Sequence, residues 1–424
     1  MPQTLTQYKD IRLYTITKII FISLSYLLWI DALTGMLLFY GGVDLKISLL
    51  YKLPLVACML AIIALKSRTV LLLIILAFIL LILGPAFKFT SNHKTSFLFN
   101  DISLAIKVIT PFITFYFCKT IAQIYPDILG VYGIKALWIN FLAILFNLLI
   151  GVLGLGYPSY EGGEDGQGIG VRGFYVAGNE LSGCFVLLFG FILHYCWNHR
   201  RLYFLPLSLV AAVCGALIAT KTAMLASIIL IFMVPVVNER KHLFHFTKLK
   251  IKLFFLILIG ASLATYFILD VLQTIGLRDK IMWILKEKGI WELIFSGRIE
   301  FVSKIIDAFM ASAGWFEYLF GIGTIGMSDY FTTKYSAEVD PVDLFVYVGV
   351  VGSTIVYASV FLMILPAFLM GKQDRFLPPV VVLVNLILLM LSVFSGHILN
   401  SGMLGPIWGL FNGLLFIKLQ VNKQ

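Results

Sequence analysis

The chain has 424 residues, of which 60% are hydrophobic and 13% charged, with a mean hydropathy of +0.97. A soluble domain is about 25% charged and about 45–50% apolar. The composition therefore excludes a soluble enzyme, a disordered protein and a nucleic-acid-binding domain, although the formal net charge of +10 would otherwise suit nucleic acid.

What remains is an all-α polytopic integral membrane protein. A bilayer core of about 30 Å needs roughly 20 apolar residues per helix, and twelve such stretches are predicted. They cover 17–39, 47–65, 69–84, 103–122, 132–153, 176–196, 202–220, 223–237, 251–270, 342–368, 376–396 and 402–418. The N-terminus lacks the short apolar core and small-residue cleavage site of a secretory signal, so the first span is expected to be retained. With both termini cytoplasmic, the connections on that side hold eighteen basic and four acidic residues, including the Arg240, Lys241, Lys248, Lys250, Lys252 group. The remainder holds fourteen basic and eighteen acidic residues, and this one-sidedness is what orients the chain.

Two extracytoplasmic connections are long. The first, 154–175, is rich in glycine and acidic residues. The second, 271–341, is too long for a simple turn, and loops of that size usually serve function. Within it Ile299, Val302, Ile305, Ile306, Phe309 and Met310 have helical spacing, with Ser296 placed as an N-cap. An amphipathic helix is expected there. The chain reads as a single polytopic domain, 1–424, without linkers or repeats.

Cys58, Cys118, Cys184, Cys196 and Cys214 all lie in apolar stretches and read as small core hydrophobes, without metal-ligand spacing. Gly168–Gly173 and Gly321–Gly326 both match GxGxxG, but neither follows a strand in a βαβ unit, so the dinucleotide reading fails its context test. Glycine for turns is the expected role, with an anion cradle of backbone N–H groups as the alternative.

Charged residues inside spans need a partner or a watery cavity. Asp31, Lys52, Lys107, Glu180 and Lys221 are of this kind. Snorkelling or structural ion pairing is expected for Lys52 and Lys107. Lys221, between two tightly joined spans, is placed to face a cavity or to pair structurally. Glu180, after Gly178 and Asn179, suits a helix start satisfied by backbone amides. Arg172 and Arg298 each stand beside glycine in an outer loop; an arginine fork binds phosphate in bidentate fashion, and the predicted helix start adds its own amides at Arg298. Glu338, Asp340 and Asp343 lie within six residues. Crowded carboxylates at an interface can shift toward general-base range, whereas a solvated acidic cap on a helix start is the reading that spacing alone favours.

Together these features resemble the Wzy-type polymerases of bacterial O-antigen and capsular polysaccharides, in the O-antigen polymerase/ligase superfamily. The residues that carry the resemblance are Arg172-Gly173-Phe174 with Gly178-Asn179-Glu180, Thr220-Lys221-Thr222-Ala223 and Ser296-Gly297-Arg298. Phe320-Gly321-Ile322-Gly323 follows, and then the Glu338–Asp343 run leading to Tyr347-Val348-Gly349. The resemblance implies a multi-pass glycosyltransferase of the bacterial inner membrane that joins undecaprenyl-pyrophosphate-linked oligosaccharide repeat units and needs neither cofactor nor metal. Arg172, Lys221 and Arg298 would hold pyrophosphate, Glu338, Asp340 and Asp343 would supply a base, and Asn179, Glu180 and His397 would touch substrate. Its partners would be the lipid-linked oligosaccharide, membrane lipid, a chain-length regulator and a flippase, with no nucleic acid. Two departures stand out: Lys221 occurs where many members carry arginine, and the end of the long loop is acidic where the ligase branch carries histidine. Transfer of finished glycan to lipid A core or protein, and transport of lipid-linked oligosaccharide, are the alternatives.

Overall fold

A computed structural model describes residues 11–160, 168–239, 245, 247, 248, 250–253, 255, 285–287, 289–295, 297–370 and 376–417. The described chain is helical, apart from one antiparallel hairpin of β1 (Tyr157–Tyr160) and β2 (Ile169–Gly173). Helices α1 (Ile11–Ser25) and α2 (Leu27–Gly41) meet at Tyr26 with a 49° bend. Then come α3 (Ile47–Lys66), α4 (Arg68–Asn92) and α5 (Thr95–Ile124). A short turn at Pro126–Ile128 and a π-helical turn lead into α6 (Ile134–Val152). After the hairpin follow α7 (Gly178–His199), α8 (Phe204–Ile218) and α9 (Lys221–Asn238). Four shorter helices, α10 (Gly289–Phe295), α11 (Arg298–Ser312), α12 (Trp315–Phe320) and α13 (Gly323–Met327), precede α14 (Asp340–Met370), α15 (Pro378–Phe394) and α16 (Gly405–Gly413).

Among the described residues, eight helical segments are long and apolar enough to cross a membrane, nine if α1 with α2 is one bent span; α15 is apolar but has only 17 residues. This build fits a multi-pass membrane protein. Eleven of the twelve predicted stretches fall on helices, whereas most of 251–270 lies outside the described residues, as do 271–284 and Ser296.

Helix α7 is the innermost. It is apolar nearly all round, which in an α-helix marks burial on every side, and Leu181 to His194 are buried without a break. Helix α16 packs closely on α5. Gly405, Gly409 and Gly413 recur every fourth residue and form a smooth ridge, so the backbones can meet; a Cβ on Gly409 would lie 2.2 Å from the Pro111 carbonyl oxygen. Small residues at this spacing are how helices pack where water supplies no driving force.

The second GxGxxG also serves close approach. Helix α14 breaks at Gly349 (φ 68°), and the break exposes Val346 O, which accepts from Ile322 N–H at 2.9 Å. Gly321 lies so close to Tyr347 that a Cβ would be 2.3 Å from its carbonyl carbon. The cradle of amides at the start of α13 is filled by the protein itself: buried Asp101 accepts from Thr324 N (2.7 Å) and Ile325 N (3.2 Å).

The amphipathic helix expected in the long connection is α11. Val302, Ile305 and Phe309 form its buried stripe, with the Phe309 ring 5.2 Å from that of Phe345 at the head of α14. Ile299 and Met310 face outward.

Lys52 is a structural ion pair, as expected. Its ammonium reaches Asp31 at 2.6 Å with side-chain exposures of 14% and 11%, and it also donates to Gly402 O at 2.9 Å. Removing one member of a buried pair leaves the other uncompensated. Lys52→Met should therefore lower unfolding stability in detergent by about 3 kcal/mol, and Asp31→Asn added to it should recover part of that loss in a thermal melt.

Candidate functional site

Residues 395–404, between α15 and α16, form almost no regular structure yet are largely buried. Buried backbone must find partners, and here side chains from distant parts of the chain supply them. Asp340, the first residue of α14, accepts from three successive amides: His397, Ile398 (2.9 Å) and Leu399 (2.8 Å). Glu180 in the first turn of α7 accepts through Oε2 from Met403 N (2.9 Å) and Ser401 Oγ (2.6 Å). Asn179 Nδ2 donates to Ser395 O (2.8 Å), Arg298 Nη1 to Phe394 O, and Lys52 to Gly402 O.

The acidic run is tied to the same loop. Asp343 accepts from Ala337 N (2.7 Å) and Ser336 Oγ (2.6 Å), and Asp340 and Asp343 are each 1% exposed. These two are thus buried anchors of backbone amides; the solvated helix cap that spacing favoured is not what forms. Glu338 and His397 both adopt left-handed backbone (φ 58° and 57°), and a Cβ on Gly396 would sit 2.4 Å from Glu338 O. Such outliers cost about 1–3 kcal/mol each and cluster where surroundings over-determine them. The His397 imidazole lies within electrostatic reach of both Asp340 and Asp343.

Glu338 receives Arg298 Nη2 at 3.0 Å and Lys334 Nζ at 3.1 Å. Burial alone would raise its pKa, but these hydrogen bonds and charges outweigh burial and hold the carboxyl below its ordinary value of 4.5. A carboxylate so held is a weak base near neutrality. Because the folded pKa is depressed, the pair's contribution to stability is fully present above about 4.5 and fades as pH falls through the lower folded value. Hydrogen-exchange protection at residues 334–339, taken relative to the intrinsic rate at each pH, should accordingly fall on acidification below about 4.5, and Glu338→Gln should flatten that pH dependence.

The predicted cations gather beside this loop. Arg172 on β2 donates to Pro158 O (2.7 Å) and Val176 O, and its stem lies 3.3 Å from where a Gly178 Cβ would be. Its neighbour Asn179 touches Ser395, next to the Phe394 that Arg298 holds. Lys221, which follows the N-cap Thr220, interacts electrostatically with Arg298. In this state the guanidinium groups are engaged by backbone oxygens and Glu338.

Beside the loop is a cavity of about 290 Å³, lined by Asn100, Ser103, Lys107, Glu180, Thr324, Tyr347, His397 and Asn400 among others. Two of these, Glu180 and His397, were anticipated. Of the two fates expected for Lys107, ion pairing is absent: it makes neither ion pair nor hydrogen bond among the described residues, and its stem packs on Gly402 (Cε 3.2 Å from where a Cβ would be). A lone lysine in the middle of an apolar span was the available signal for it. Asn100, Ser103 and Asn400 carried none, because uncharged polar residues at such positions are commonplace. The chain matches no family model, no curated protein and no solved structure.

Proposed function

We propose that the protein is a Wzy-type polymerase of bacterial surface polysaccharide, working at the outer face of the inner membrane through about twelve spans with both termini cytoplasmic. One observation above all supports this reading. A cavity lined by polar and ionisable groups lies among the apolar helices, and Arg298 holds the end of α15, where the loop that forms one of its walls begins. Ionisable groups in such a setting are expensive and mark a substrate path.

The reaction is transfer between two lipid-linked oligosaccharides. An acceptor hydroxyl attacks the anomeric carbon of the donor sugar, the new glycosidic C–O bond forms, and the bond from that carbon to the pyrophosphate oxygen breaks. The departing undecaprenyl pyrophosphate takes the electron pair, and fixed positive charge from Arg172, Lys221 and Arg298 stabilises it. The hydroxyl's proton passes to a group lining the cavity, where Glu180 and His397 stand. Asp340, Asp343 and Glu338 take the positioning role, holding the loop and Arg298 in place.

A deletion strain complemented with the chain tests the reading. Restoration of long polymer, from a background that accumulates single repeat units on lipid, is the expected result. A background that instead accumulates long lipid-linked chains would mean a ligase. Translocation of lipid-linked repeat units into liposomes without extension would mean a transporter.

A further inference from the structure

The cavity's polar atoms are unusually short of partners. Lys107 offers an ammonium with no acceptor among the described residues. Glu180 uses only Oε2 for the loop, leaving Oε1 without a hydrogen bond. Asn400 Oδ1 is buried and unpartnered. Lys107 and Glu180 line one cavity without forming an ion pair. The buried Asn400 oxygen costs free energy while unmet, and a ligand that paired with it and engaged Lys107 and Glu180 would recover that cost.

The chemistry of that ligand follows from the lining. A cation would meet Lys107 and an anion would meet Glu180, with Asp340 and Asp343 behind His397. A neutral ligand must instead accept from an ammonium and donate to two oxygens within a small space, which is what adjacent hydroxyls on one ring do. At about 290 Å³ the cavity sits at the lower end of small-molecule sites, which run to roughly 300–1,000 Å³. That suits one ring rather than a chain.

We propose that this cavity binds a single uncharged sugar ring, whose hydroxyls accept a hydrogen bond from Lys107 and donate to Glu180 Oε1 and Asn400 Oδ1. The site rests on the polymerase reading only for its source: there, the ring is the terminal sugar of the acceptor.

The full-length protein in nanodiscs, probed by saturation-transfer NMR with methyl glycosides of neutral hexoses, N-acetylhexosamines and hexuronic acids, tests this. Neutral glycosides should bind and hexuronates should not. Lys107→Met and Glu180→Gln should each weaken neutral binding at least tenfold, and Lys304→Met, with its exposed side chain in α11, should leave it unchanged. Glu180 also anchors Met403, so Lys107→Met is the cleaner variant. It removes no hydrogen bond or ion pair among the described residues, keeps an unbranched stem to pack on Gly402 and should melt at or above the wild-type temperature, whereas a structural lysine would melt lower. Absence of binding by neutral glycosides, binding by hexuronates alone, or undiminished binding to folded Lys107→Met protein would overturn the site. Neutral binding in a chain that makes no polymer would sink the polymerase reading and leave the site standing. Full-length polymer in a Lys107→Met strain would do the reverse.

Discussion

Arg298→Ala should abolish long-chain polysaccharide in a complemented deletion strain while single lipid-linked repeat units and protein level persist. The expectation follows from what the guanidinium holds. It joins Glu338 at 3.0 Å to Phe394 O, bridging the acidic run to the end of α15, and it stands near Lys221. Its loss removes a preorganised cation from the end of α15, beside the loop. Removing one such donor from a developing anion costs about 10²–10³ in rate. Arg298→Lys separates the two contributions, since lysine keeps the charge and loses the fork. Recovery of most polymer by lysine would assign the role to charge on pyrophosphate; loss with lysine too, at unchanged melting temperature, would assign it to the bridge. An unchanged chain-length profile in Arg298→Ala would remove Arg298 from the reaction altogether.

Asp340→Asn should be the more damaging change to the fold. The carboxylate is 1% exposed and accepts from three consecutive amides. Hydrogen bonds to a charged group contribute about 1.5–3 kcal/mol each. Asparagine keeps one acceptor oxygen and turns an NH₂ group toward an N–H donor, so a loss of about 3 kcal/mol is expected. Polymer should fall together with the melting temperature, and hydrogen exchange should rise at residues 396–400. A variant with normal stability and no polymer would instead make Asp340 a chemical participant. Normal polymer and normal stability would deny it both roles.

These two residues also show what one chain of letters can and cannot disclose. The helices were legible because hydropathy is additive along the chain, and α11 because its stripe has a helical period. The Asp31–Lys52 pair followed from the cost of lone charges in apolar surroundings. The acidic run was conspicuous, but the partners of Asp340 are backbone amides some sixty residues away, and every residue except proline carries an amide. No pattern marks which ones turn inward. For the same reason the 321–326 glycines could be read as turns or an anion cradle but not as a crossing: that Gly321 and Gly349 let two backbones cross depends on a break in α14 that a run of apolar residues conceals. Lys107 was visible as a charge, yet pairing was its expected fate, and only the packing of its stem on Gly402 shows it without a partner.

The loop between α15 and α16 is made late in synthesis, whereas most of its anchors are made early. Until residues 394–413 arrive, Glu180 and Asp340 are carboxylates without their amides, Arg298 lacks one of its acceptors, and α5 lacks the glycine ridge it packs against. Insertion into the bilayer and completion of the cavity are therefore separate events. A chain that stalls before residue 394 would leave these carboxylates without the amides that compensate their charge.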